Sequence, residues 1–213
     1  MPDDRIKIKR SRRRVTSYKD RSPEEWLKYL RSPSVRARDE AADALLQYGP
    51  STIPGIIEAV EDRSLNQARL SAAHALGAFG PKAKAAVPAL IAAVKDRKWN
   101  GRDGAAMALG KIRQDLDQTI PALIEVMQGD PDETVRGAAA EALGKIGDSR
   151  SQVVSALAKA LDDKEINVRA EAAEALQKLG PAAKAALPAL KKAAKSHDFV
   201  VSQAANEAIK AIQ

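Results

Sequence analysis

Six stretches of this chain share one pattern at nearly one spacing, and that repeat limits the possible fold more than any other feature. QARLSAAHALGAFG (67–80), NGRDGAAMALGKIR (100–113), TVRGAAAEALGKIG (134–147) and NVRAEAAEALQKLG (167–180) each begin around an arginine. Small residues follow it at the third and fourth positions, Ala-Leu at the sixth and seventh, and an apolar residue at the tenth. ARDEAADALLQYG (37–49) fits the same register, and VSQAANEAIKAIQ (201–213) fits it loosely. The arginine column reads Arg38, Arg69, Arg102, Arg136, Arg169 and then Ser202, at spacings of 31, 33, 34, 33 and 33 residues.

Within each unit the apolar positions fall on one face of a helix. A second apolar run precedes that helix: IPGIIEAV (53–60), VPALIAAV (87–94), IPALIEVM (120–127), VSALAKAL (154–161) and LPALKKAA (187–194). Pro54, Pro88, Pro121 and Pro188 share a column, with Ser155 in the remaining unit. Proline there predicts the first turn of a helix, where no N–H is needed. Gly49-Pro50, Gly80-Pro81 and Gly180-Pro181 predict helix stops. Ser22 and Glu25 predict a capping box, with Pro23 opening the first helix. The units 22–49, 50–80, 81–113, 114–147, 148–180 and 181–213 therefore read as helical hairpins, preceded by a basic segment over 1–21.

These residues resemble the HEAT-repeat family, in particular the short bacterial HEAT-like repeats of the phycobilin-lyase type. The resemblance rests on VPAL and IPAL in the first helix, an aspartate in the turn, and VR…AA…ALG.IG in the second. It covers roughly residues 22–213 and implies an all-α, right-handed α-solenoid of about six hairpins. The last unit lacks the column arginine and the closing glycine, as a capping repeat would. The third ends in Arg113 in place of glycine. By the same resemblance, Asp96 with Arg102, Asp130 with Arg136, and Asp163 with Arg169 form a structural ladder of charge-assisted hydrogen bonds along the stack. The second helices are expected to line the concave face.

Composition narrows the chemistry. There is no cysteine, so disulfides, thiolate metal sites and cysteine nucleophiles are excluded. No stretch approaches the ~18 apolar residues of a membrane span, and no apolar segment follows the basic N-terminus as in a secretion signal. A cytoplasmic location is expected, or a nuclear one in a eukaryotic source. His74 and His197 lie in different units without a partner motif; HExxH metal spacing, a P-loop ending and a G-x-S-x-G elbow are all absent. The expectation is a protein with no catalytic residues, no cofactor and no metal. Trp99, Arg102 and Asp103 superficially match the Trp, Asp and Arg of HEAT-like DNA glycosylases, although Arg102 already belongs to the ladder column. The phycobilin-lyase resemblance implies a second alternative, a lyase or chaperone-like subunit acting on a biliprotein.

Surface positions break the pattern in two places. The fifth position after the column arginine reads Asp43, His74, Met107, Glu141, Glu174 and Glu207. Glu141/Lys145 and Glu174/Lys178 predict a solvated, salt-bridged face in the C-terminal half. Leu70, His74 and Met107, with Trp99 in the nearby turn, form a less charged group and a candidate interface. The Trp99 column also holds Val35, Asn66, Glu133, Ile166 and Phe199, so packing against the first helix is the competing reading. Trp26 and Tyr29 are read as core.

The second departure is the N-terminus. Residues 1–20 hold eight Lys and Arg against three Asp, which is +5 of the chain's +7. Arg5, Lys7, Lys9, Arg10, Arg12, Arg13 and Arg14 are the candidate partner-binding arm, whose composition predicts disorder in isolation. It reads as a solubility tail, as an anchor on an acidic protein surface, or as a nucleic-acid contact. The solenoid offers no basic stripe and few stacking aromatics. The resulting expectation is a non-catalytic protein–protein adaptor or scaffold, with the arm as accessory anchor to another protein bearing an acidic patch. A nucleic-acid-binding solenoid is the remaining alternative.

Overall fold

The computed structural model describes residues 18–213, and all regular structure among them is helical. The hairpins pair α1 (Pro23–Leu30) with α2 (Val35–Tyr48), α3 (Ile53–Glu61) with α4 (Asn66–Phe79), and α5 (Val87–Val94) with α6 (Arg102–Ile112). They continue with α7 (Leu116–Gly129) and α8 (Glu133–Ile146), α9 (Ser151–Ala160) and α10 (Ile166–Leu179), and α11 (Leu187–Ala193) and α12 (Phe199–Ile212). Even-numbered helices stack on one another along one layer, and odd-numbered helices form the other. The result is an all-α solenoid. No helix among the described residues is long and apolar enough to cross a membrane.

Local chemistry explains the element ends. Ser22 Oγ accepts from the Glu25 N–H, and Glu25 accepts from the Ser22 N–H at 2.9 Å, so the capping box forms. Gly80 and Gly180 adopt φ of 56° and 58° with ψ near −140°, a region essentially reserved for glycine. Pro81 and Pro181 then bar any continuation of α4 and α10. Pro54, Pro88 and Pro188 stand in the first turns of α3, α5 and α11. Pro121 does not: it lies inside α7, which begins at Leu116. The difference arises at the preceding junction, where Arg113 caps α6 with a left-handed φ of 52° and Asp115 follows at 47°. Arg113 thus adopts the conformation that glycine usually supplies.

The basic segment expected over 1–21 ends earlier. Tyr18 packs edge-on against Tyr48, its carbonyl accepts from Trp26 Nε1 at 2.8 Å, and Arg21 lies over the rings of Trp26 and Tyr29. Residues 18–21 therefore belong to the first hairpin. Trp26 is core, but Tyr29 is 41% exposed, because its ring covers Arg21 instead of filling the interior.

The column arginines connect the units. Arg136 Nη1 donates to the carbonyls of Asp130 and Pro131 in its own turn, while Nε and Nη2 hold both oxygens of Asp163 in the next turn at 2.9 and 2.8 Å. Arg102 grips Asp130 in the same bidentate way, at 2.8 and 2.9 Å. Arg69 reaches Asp96 at 2.8 Å, and Arg169 reaches Asp198 at 2.9 Å. Arginine and aspartate six residues apart are therefore not ion-pair partners. The backbone of one hairpin and the carboxylate of the next turn share each of these four guanidinium groups. Arg69 and Asp198 belong to the same set.

A second column, eight residues after the arginine, fixes the spacing of the even-numbered layer. A Cβ on Gly110 would stand 2.7 Å from Ala142 Cα, and one on Gly144 would stand 2.8 Å from Ala175 Cα. Only glycine permits such backbone approach. The odd-numbered helices touch one another sparsely and leave an open groove of about 520 Å³ between α7 and α9. Close packing in one layer and splaying in the other curve the stack, with even-numbered helices on the inner side.

Two consequences are measurable by chemical denaturation. Arg136→Gln should lose about 1.5–3 kcal/mol because the pair is shielded, whereas Arg169→Gln, partly exposed, should lose no more than about 1 kcal/mol. Equal losses would contradict the role given to burial. Gly110→Ala should cost about 1–3 kcal/mol by forcing α6 and α8 apart. A neutral result there would mean that the layer spacing is not set by this contact.

Candidate functional site

The inner face is irregular where α4 meets α6. The column arginine lies three residues into α2, α4, α8 and α10, but α6 begins at Arg102 itself. Trp99 fills the volume of the missing turn. It is 2% exposed, its ring lies 4.4 Å from the Arg69 guanidinium, and its Nε1 donates to the Asn66 carbonyl at 3.2 Å. Arg102 Nη1 donates to the Trp99 carbonyl. A Cβ on Gly101 would come within 2.6 Å of the indole, so that glycine makes room for the ring.

Of the two readings of Trp99, packing agrees with the structure, since the side chain is buried against the preceding repeat. Its column is not a packed column, however: Val35 and Ile166 are exposed and Phe199 is 77% exposed. Those residues sit in regular first turns of their helices, while Trp99 lies in the irregular turn that replaces one. The glycosylase-like group also separates. Trp99 is covered and Arg102 is committed to Asp130, leaving only Asp103 partly open.

Leu70, His74 and Met107 remain together. Leu70 Cδ1 occupies the space beside Gly104 where a side chain would stand, and His74 Nε2 lies 3.1 Å from that glycine's would-be Cβ. Met107 follows one turn later on α6. His74 is exposed, and Leu70 and Met107 are partly so. Gly104 thus lets α4 side chains lie flat across α6, a role with no signal in the sequence beyond a small residue in an otherwise variable column. The basic arm, Arg5 to Arg14, lies outside the described residues.

Carboxylates flank this window. Asp39 and Asp43 are exposed on α2, and Glu141, Glu171 and Glu174 gather on α8 and α10. Glu141 pairs with Lys145 at 2.6 Å, but Glu174 and Lys178 form no ion pair. Lys178 instead crosses close to Gly144. Partial burial, then Glu174 and Glu141, push the Glu171 carboxyl above its ordinary value, against the opposing effect of Lys178 and Lys145.

A raised folded-state value means that ionised Glu171 costs stability, and the cost vanishes as pH falls below the ordinary glutamate value of ~4.3. Glu171→Gln should therefore raise the melting temperature at pH 7, on the order of 1 °C after solvent screening. The gain should disappear near pH 4. A gain that persists unchanged at low pH would show that charge is not its source.

Comparison with solved structures places this geometry among repeat proteins. The complex of CpcE and CpcF of phycocyanin lyase from Nostoc sp. PCC7120 is 26% identical over 90% of this chain and 77% of its own, with a TM-score of 0.61. A designed armadillo repeat protein is 21% identical over 90% of this chain and all of its own, at a TM-score of 0.55. A mutant of Kap121p is 16% identical over 89% of this chain and 24% of its own, at 0.70, which concerns the fold alone. No curated protein sequence matches. The sequence pattern of HEAT repeats matches residues 67–144, 87–166 and 120–210, where the stacked hairpins and bridging arginines have been described, and the chain belongs to the HEAT repeat family.

Proposed function

We propose that this solenoid is a non-catalytic scaffold that holds another protein on its inner face. The observation that carries the reading is the window of Leu70, His74 and Met107, which interrupts a surface otherwise lined by acidic and basic side chains. Interface centres favour such residues and exclude charge. The HEAT fold supports the reading through its rigid curved surface, and the basic arm from Arg5 to Arg14 serves as an accessory anchor to acidic groups on the partner.

A second reading has one observation in its favour. The likeness to the CpcE–CpcF complex of phycocyanin lyase extends over most of both chains and supports a subunit that acts on a biliprotein. A bilin absorbance change on mixing with this chain would favour that reading over the scaffold.

The scaffold is tested by capture from native lysate with nuclease treatment. The full chain, a chain starting at Ser17, and the double variant His74→Glu, Met107→Glu are compared. The same protein should be retained by the first two and reduced about 10–30-fold by the double variant, the range of a hot-spot loss. Retention that vanishes with nuclease or with the arm would place recognition on the basic segment and overturn the reading.

A further inference from the structure

Four column arginines hold a carboxylate from the next turn; Arg38 does not. It is 3% exposed. Its Nε donates to Ser71 Oγ at 3.1 Å, and its Nη1 to the carbonyls of Ser32 and Pro33 at 2.8 and 3.0 Å. Among the described residues its Nη2 has no hydrogen-bond partner and no carboxylate lies within ion-pairing distance. The turn that would supply one joins α3 to α4. There Asp62 is seven residues before the column arginine, where Asp96, Asp130 and Asp163 are six before theirs. Asp62 Oδ1 instead accepts from the Ser64 N–H at 3.0 Å and the Ser64 hydroxyl at 2.5 Å.

The place left open is a cavity of about 390 Å³. Arg38 and Arg31 line one side, and Ser64 with residues 65–68, the start of α4, line the other. The residue before α4 is Leu65, which offers no side-chain cap. The amides of Asn66, Gln67 and Ala68 therefore lack helix partners and present the positive end of a 14-residue helix. The buried Arg38 and an uncapped helix start thus line one cavity, and among the described residues its lining holds no acidic residue.

We propose that this cavity is a carboxylate-binding site, in which an acidic side chain of a partner protein takes the place that aspartate fills at the other four arginines. The sister positions favour a carboxylate over a phosphate: Asp96, Asp130, Asp163 and Asp198 each accept from the equivalent guanidinium at 2.8–2.9 Å. The bonds formed are charge-assisted ones from Nη2 and the α4 amides, with no covalent step. The protein source of the carboxylate rests on the scaffold reading; the chemistry of the site does not.

The test is a titration of the full chain with sodium acetate at constant ionic strength, read by amide NMR. Saturable shifts are expected at Asn66, Gln67, Ala68 and the Arg38 Nε–H. Arg38→Gln should weaken them at least about tenfold, as loss of a charge-assisted bond implies. Leu65→Asp keeps the proposal testable should that variant not fold. It puts an aspartate immediately before α4, as Asp198 stands before α12, and should abolish the acetate shifts while raising the melting temperature. A short aspartate-containing peptide should then compete with acetate.

Failure of the peptide to compete would overturn the partner-protein source while leaving the carboxylate site standing. Inorganic phosphate acting at a tenfold lower concentration than acetate would overturn the carboxylate assignment. Absence of shifts in the natural chain, or their appearance only in Asp62→Asn, would mean that the site does not exist or that Asp62 already fills it.

Discussion

A column guanidinium shared between two turns, at four of the six repeats, is the interaction on which this solenoid depends. Each hairpin buries an apolar stripe of alanine and leucine, but apolar packing alone does not fix how one hairpin is rotated against the next. The column arginine does. It binds backbone carbonyls of its own turn and, at four positions, the carboxylate of the following one. Burial pushes the Asp130 and Asp163 carboxyls up, yet the guanidinium bonds and the turn amides hold both below the ordinary value. The bridging therefore outweighs desolvation, and it sets direction where the apolar contact does not.

Curvature comes from a different constraint. Glycines 110 and 144 bring helix backbones together on the inner side, and the outer helices, with no such contact, splay apart. The inner surface is thus built from closely spaced helices whose exposed positions repeat in register. Any departure from that register stands out chemically. The α4–α6 junction is the largest departure, because an absent helical turn draws Trp99 inside and two glycines let Leu70 and His74 lie across the neighbouring helix. The end of the stack departs differently, with Arg38 lacking the carboxylate that its counterparts hold. Both functional readings arise where the repeat is broken.

Much of this was legible in the sequence, and the limits are physical. The repeat period, the two helices per unit, the capping box at Ser22 and the glycine–proline stops follow from local preferences that depend on residues a few positions apart. Trp26 as core, and Leu70, His74 and Met107 as a less charged group, follow from helical periodicity. Equivalence by column agrees with the burial of Trp99 but fails at Val35, Ile166 and Phe199, since a column assumes the same backbone in each unit and α6 starts three residues late. The core reading of Tyr29 failed for a related reason. Apolar character states what burial would gain, but only the neighbouring helix decides whether a surface is there to provide it.

The sequence by itself determined the class of fold, most of the helix ends and the positions of the charged column, because each is encoded in contacts within one repeat. Tertiary structure alone decided which aspartate each arginine holds, which glycines admit a neighbouring backbone, and which of two tryptophan environments Trp99 takes. Those outcomes join residues about 30 positions apart across separate hairpins, and their geometry exists only once the hairpins are stacked.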